Sequence, residues 1–135
     1  MTSRLDAYLE TLGEIPPAIA AMNRADPQVL EGYLTMREAI MSSHDDGLPF
    51  KYKELIFVIL DLLASNIDGA KLHLAAGLNA GLTKTEVTEA LFQAMLLHGV
   101  KTWGLGGYQL VAFADSYQGE SAPESQKGAG TTSTP

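Results

Sequence analysis

"SNIDGAKLHLAAGLNAG", residues 65–81, decides the fold. Asn66, Gly69 and His73 are three and four positions apart, about one helical turn each, so they fall on one face of a single helix. The same stretch is crowded with small residues, Gly69, Ala70, Ala76, Gly77 and Ala80. Small residues on a helix face either leave space beside the imidazole or let a second helix approach closely. We carry forward the first reading, a ligand cavity beside His73, because a histidine set against bare backbone would need a buried partner of its own.

Working outward, "KYKELIFVILDLLA" at 51–64 reads as a helix that is apolar nearly all round, which suits the centre of a domain or an oligomer contact. Glu54 and Asp61 are seven apart on it, with Ser65 a turn further, so a thin acidic stripe runs along a greasy helix. Glu54, near Lys51 and Lys53, also suits the positive end of the helix dipole. Asp61 must pair, face a cavity or meet a subunit boundary. For the next helix, Ser65 with Asp68 has capping-box spacing, Asn66 is an equally good cap, and Gly81 is a stop signal. "TKTEVTEALFQAMLLHG", 83–99, repeats the device with Thr83 and Glu86, placing Val87, Leu91, Ala94, Met95 and His98 along one side. A last helix is predicted over "KTWGLGGYQLVAFADSY", 101–117, weakened at its start by Gly104, Gly106 and Gly107, which point to close approach.

Towards the N-terminus a short helix spans Leu5 to Leu12, and the two prolines of "GEIPP" interrupt regular structure. Asp26 as N-cap and Pro27 at the first position then start a helix with Val29, Leu30, Tyr33, Met36, Arg37 and Ile40 as its stripe. "SSHDDGLPF" ends it, with His44 in a surface loop. Strand alternation is not evident, so the fold class is all-α. After Tyr117, "QGESAPESQKGAGTTSTP" has no large apolar residue. The expected organisation is one helical domain over 1–117 and a disordered tail over 118–135.

Composition narrows the function. At 135 residues and 46% apolar content the chain suits one globule with a real core. A net charge of −7 disfavours nucleic acid as a partner, since backbone phosphates are held by Lys and Arg. With no cysteine there is no disulfide, thiol nucleophile or thiolate metal ligand. The N-terminus lacks a secretion-signal pattern and the apolar run near Leu55 to Ala64 is too short to span a bilayer, so no membrane and a cytoplasmic location are the expectations. "GLGG" lacks the Lys-Ser/Thr of a phosphate loop. Glu54, His73 and His98 are possible ligands for a divalent ion, but no HxxxH or HExxH spacing supports them, and no metal is expected.

The run from Lys51 to Tyr108, preceded by "PPAIAAMNRADPQVLEGYLTMREAI", resembles the carboxymuconolactone decarboxylase and AhpD-like superfamily. The pattern there is a Glu on a buried helix followed by CxxCxxxH on the next. Glu54 matches the Glu, Asn66 and Gly69 stand at the two cysteine positions, and His73 matches the His. "LNAGLTKTEVTEAL" is similar to the stretch "EAGAT..EI.EAL". The resemblance implies an AhpD-like helical bundle, oligomeric as a homotrimer or homohexamer, with pockets near subunit contacts.

The departure from the pattern separates two chemistries. Dithiol peroxidase cycling needs a thiolate and a resolving thiol, which Asn66 and Gly69 cannot supply. The resemblance then implies the decarboxylase branch, which acts without a cofactor on a small lactone acid and protonates the dienolate left by carbon dioxide. Such a reaction needs a proton donor where negative charge develops. His73 is the expected general acid, oriented by Glu54. Lys101 or His98 is expected to bind the substrate carboxylate and Asn66 to donate to a carbonyl, with Arg37 as another possible anion ligand. Trp103 and Tyr108 are candidates for an apolar wall, with core packing the favoured role for at least one of them. Two other classes stay open: a different cofactor-free enzyme, hydrolase or isomerase, on the same scaffold, and a non-catalytic binding or assembly subunit.

Overall fold

The structure, a computed structural model, describes residues 4–117; the tail expected over 118–135 lies outside the described residues. The described chain is helical throughout: α1 (Asp6–Leu12), α2 (Pro17–Ala25), α3 (Pro27–Met41), α4 (Phe50–Leu63), α5 (Ile67–Asn79), α6 (Lys84–His98), a π-helical turn (Trp103–Gly107) and α7 (Tyr108–Ser116). No strand occurs among the described residues. No helix among them is long and apolar enough to cross a membrane.

The antiparallel pair α4–α5 organises the fold. Val58 and Leu62 of α4 and Ala70 and Leu74 of α5 meet Leu82, Val87, Leu91, Leu110 and Ala114 in one buried core. The other side of α5 delivers Ala76 to a second cluster with Tyr8, Leu12, Ile19, Leu30 and Leu34 from the three N-terminal helices. α5 therefore lies between two apolar layers, and its alanines and glycines keep it thin enough to do so.

Three expectations change. The prolines before residue 18 start a helix: Pro17 occupies the first position of α2, where its missing N–H costs nothing and its fixed φ is already helical. On α3 the buried residues are Leu30, Leu34 and Met41, whereas Val29, Met36 and Ile40 are more than half exposed, so the stripe is rotated from its predicted register. The last helix is not uniform, because Trp103–Gly107 takes a π turn before α7. At Gly106 a Cβ would stand 2.1 Å from Ile67 Cδ1 and 3.0 Å from Leu62 Cδ1, so this glycine brings the segment directly onto α4 and α5. That agrees with the close approach predicted for it.

Caps behave largely as the sequence indicates. Asp26 accepts from the N–H groups of Gln28 and Val29 to begin α3. Asn66, rather than the Ser65–Asp68 pair, caps α5 by accepting from Gly69 N–H at 3.2 Å. Thr83 and Glu86 form the reciprocal capping box of α6.

The capping carboxylate of Glu86 also accepts a hydrogen bond from the Tyr52 hydroxyl of α4. That bond, then the Thr83 backbone N–H, holds Glu86 below the usual carboxylate range. A carboxylate whose folded value is depressed adds stability above its unfolded value, near pH 4, and loses it as pH falls through the folded value. Tyr52→Phe is therefore expected to lower the urea midpoint at pH 7, and the gap to wild type should close as the pH falls below about 4. A gap of equal size at both ends of that range would mean that lost packing, not the ionised carboxylate, carries the effect.

Candidate functional site

Glu54 lies on the face of α4 turned to α5 and is fully buried. Its Oε2 is 2.7 Å from His73 Nδ1, the length of a charge-assisted bond. Its Oε1 is buried with no hydrogen-bond partner among the described residues. A dehydrated carboxylate on a helix as apolar as α4 is tolerated only when paired, and His73 is the group that pairs it. Nδ1–H donates to Glu54, which fixes the ring and leaves Nε2 for chemistry.

Phe57, one turn beyond Glu54, lies against the imidazole at 4.6 Å between ring centres and 41° between planes. Asp61, a further turn on, places Oδ2 3.9 Å from Nε2. The His73 side chain keeps 19% of its exposure and that of Asp61 26%, against zero for Glu54, so solvent reaches part of the ring and Asp61 but not Glu54. Asn66 N–H donates to the Asp61 carbonyl at 2.8 Å, and Asn66 Nδ2 approaches Asp61 Oδ1 at 3.4 Å. The turn between the two helices holds Ser65 at φ 60°, a left-handed conformation unusual for a residue with a Cβ.

At positions 69 and 77 the glycines beside His73 face packed side chains rather than open space. At position 69 a Cβ would come 2.4 Å from Asn66 Nδ2 and 2.9 Å from Asp61 Oδ2. At position 77 it would come 2.5 Å from Leu82 Cδ1 and 3.4 Å from Glu54 Cβ. Gly69 admits two polar side chains and Gly77 lets α4 and Leu82 close onto α5. At these two positions close packing, the alternative for this face, is what the structure contains.

Of the residues expected at the site, Glu54, His73 and Asn66 come together. His98 ends α6 and lies 3.4 Å from the Thr102 hydroxyl. It borders an apolar groove of about 420 Å³ lined by Leu55, Ile59 and Leu63 of α4 and by Ala94 and Leu97 of α6. At 100° per residue these α4 positions point away from Glu54, Phe57 and Asp61, so within one protomer His98 and His73 are on opposite sides of α4. Lys101 is exposed beyond α6. Trp103 packs on Phe92 at 5.3 Å, Tyr108 is half exposed, and Arg37 lies over the Tyr8 ring at 4.4 Å. His44 is on an exposed loop. Among the described residues no group of three or more His, Asp or Glu side chains has the geometry to hold a metal ion.

Two contacts of the site were not foreseen. Asp61 was marked as a carboxylate in need of a partner, and its spacing of seven from Glu54 was the signal that both reach the same ring. Phe57, three residues after Glu54, follows from the same periodicity.

No curated protein matches the chain. The crystal structure of a "putative carboxymuconolactone decarboxylase" from Burkholderia xenovorans LB400 matches it with a TM-score of 0.75 at 32% identity, over 83% of this chain and 86% of that one. The family model for the carboxymuconolactone decarboxylases matches residues 27–103, a span that starts at α3 and contains Glu54, Asn66, Gly69 and His73. Helical architecture, the Glu–His pair between α4 and α5 and a match across more than half of the sequence agree: the chain belongs to the carboxymuconolactone decarboxylase family.

Proposed function

We propose that this protein is a cofactor-independent lyase that decarboxylates a small lactone or unsaturated carboxylic acid, with His73 as the proton donor. The observation that carries the reading is the 2.7 Å bond from His73 Nδ1 to a wholly buried Glu54, with Nε2 on the side of the partly exposed Asp61. In the proposed step the bond from the substrate carbon to its carboxylate breaks and carbon dioxide leaves. The electron pair stays in the conjugated system as a dienolate, and the Nε2 proton passes to carbon. Glu54 holds the ring in place, so that Nε2 is the nitrogen presented to the substrate.

Neither Glu54 nor Asp61 pairs with a Lys or Arg among the described residues. We therefore assign the substrate carboxylate to Lys101 or His98 of a neighbouring copy, with Asn66 donating to a carbonyl and Trp103 as an apolar wall. Support for an oligomer comes from the surface around the end of α6. Leu96, Leu97 and Val100 are 85%, 94% and 75% exposed, and Leu60 and Leu105 are also open. Apolar side chains this exposed support a subunit contact here, and a homotrimer or homohexamer is the assembly proposed to cover it.

The test is turnover of a panel of lactone and unsaturated acids, followed by NMR of the products and by carbon dioxide release. Loss of carbon dioxide with the ring intact supports the lyase. Ring opening without it would make the protein a hydrolase, and neither binding nor turnover on any acid would leave a non-catalytic scaffold.

A further inference from the structure

We propose that Asp61 is the proton-supplying partner of His73, passing solvent protons to Nε2 through a water oxygen held between them. The proposal rests on the reading of His73 as a proton donor. The 3.9 Å from Asp61 Oδ2 to Nε2 is too long for a direct hydrogen bond. An oxygen set to one side of the line between the two groups can hydrogen-bond to both across this gap.

The carboxyl turns Oδ2 towards the ring. Asn66 fixes the Asp61 carbonyl through its N–H and approaches Oδ1 through its side chain, which leaves Oδ2 facing the ring. Any side chain at position 69 would collide with this arrangement, since a Cβ there comes 2.9 Å from Oδ2 and 2.4 Å from Asn66 Nδ2. Glycine at 69 is thus what lets a carboxylate stand beside Nε2. Nor is Asp61 needed as a helix cap, because Asn66 performs that role for α5.

Exposure divides the two acids. Glu54 is sealed and can only orient, whereas Asp61, with 26% of its side chain open, can exchange protons with water. No third carboxylate comes within ion-pair distance of the ring among the described residues. The chemistry requires such a supply, because each decarboxylation consumes one proton. Once Nε2–H has gone to carbon the imidazole is neutral. The Asp61 carboxyl then gives its proton to the bridging water as that water protonates Nε2, and the carboxylate is reprotonated from solvent.

The experiment follows the Nε2 proton in the full chain labelled with 15N-histidine, without substrate, and measures its exchange with water by NMR. Asp61→Asn is expected to slow exchange at least about ten-fold, below the usual range for one acid–base group because water itself competes. Added acetate should restore the rate in proportion to its concentration. Asp61→Ser, smaller and with the Asn66 backbone bond retained, should behave alike. Exchange at the wild-type rate, or slowed exchange that acetate does not restore, would overturn the role of Asp61. Failure of the wild-type protein to decarboxylate any acid would instead overturn the lyase reading, and the exchange result would stand apart from it.

Discussion

His73→Asn is expected to lower kcat by about 10²- to 10⁴-fold, the usual contribution of a positioned acid–base group, with a far smaller loss of stability than His73→Gln. The two amides separate the two ring nitrogens. An asparagine amide falls near Nδ1 and can keep a donor aimed at Glu54 Oε2, whereas a glutamine amide falls near Nε2 and abandons Glu54. Glu54 is fully buried and its Oε1 already lacks a partner, so losing the remaining bond leaves an uncompensated carboxylate. Stripping one member from a buried pair costs about 3–5 kcal/mol. Steady-state turnover and urea denaturation of both variants check this. Equal stability in the two would mean that the 2.7 Å contact does not hold Glu54 in place.

If the proposed assembly is closed through this surface, Leu97→Glu combined with Val100→Glu is expected to turn the oligomer seen for the wild type by light scattering into monomers, with the helical content retained. Both side chains are nearly free of contacts in the protomer, at 94% and 75% exposure, so charging them disturbs no core. In an apolar subunit contact each new carboxylate would be desolvated without a partner, which costs several kcal/mol per group. If Lys101 or His98 of a neighbouring copy binds the substrate, the monomer should also lose turnover. A variant of unchanged mass would show that this surface is not the contact.

The parts of the account that the sequence made legible are those set by local periodicity. Spacings of three, four and seven put Glu54 with Asp61 on one face and His73 with Asn66 and Gly69 on another, the family resemblance implied that Glu54 and His73 meet, and the caps at Asp26, Asn66 and Thr83 are local hydrogen bonds between residues close in sequence. What depends on where a neighbouring side chain or helix settles was not legible. Whether glycine leaves a hole or admits a packed side chain is decided by the residue opposite, and at positions 69 and 77 those residues are Asn66, Asp61 and Leu82. The register of α3 failed for a related reason: Val29, Met36 and Ile40 are as apolar as Leu30 and Leu34, and only the placement of α1 and α2 selects between the two sets. α2 was missed because Pro17 breaks a helix interior yet begins a helix well, so one residue type carries both meanings.

The central claim, that His73 Nε2 delivers the proton that replaces carbon dioxide, is tested most directly by turnover in D2O. The wild-type protein should place one deuterium per released carbon dioxide on a single face of the product carbon, and His73→Asn should leave only slow labelling without facial preference. Deuterium distributed equally over both faces by the wild type, or undiminished single-face labelling by His73→Asn, would contradict it.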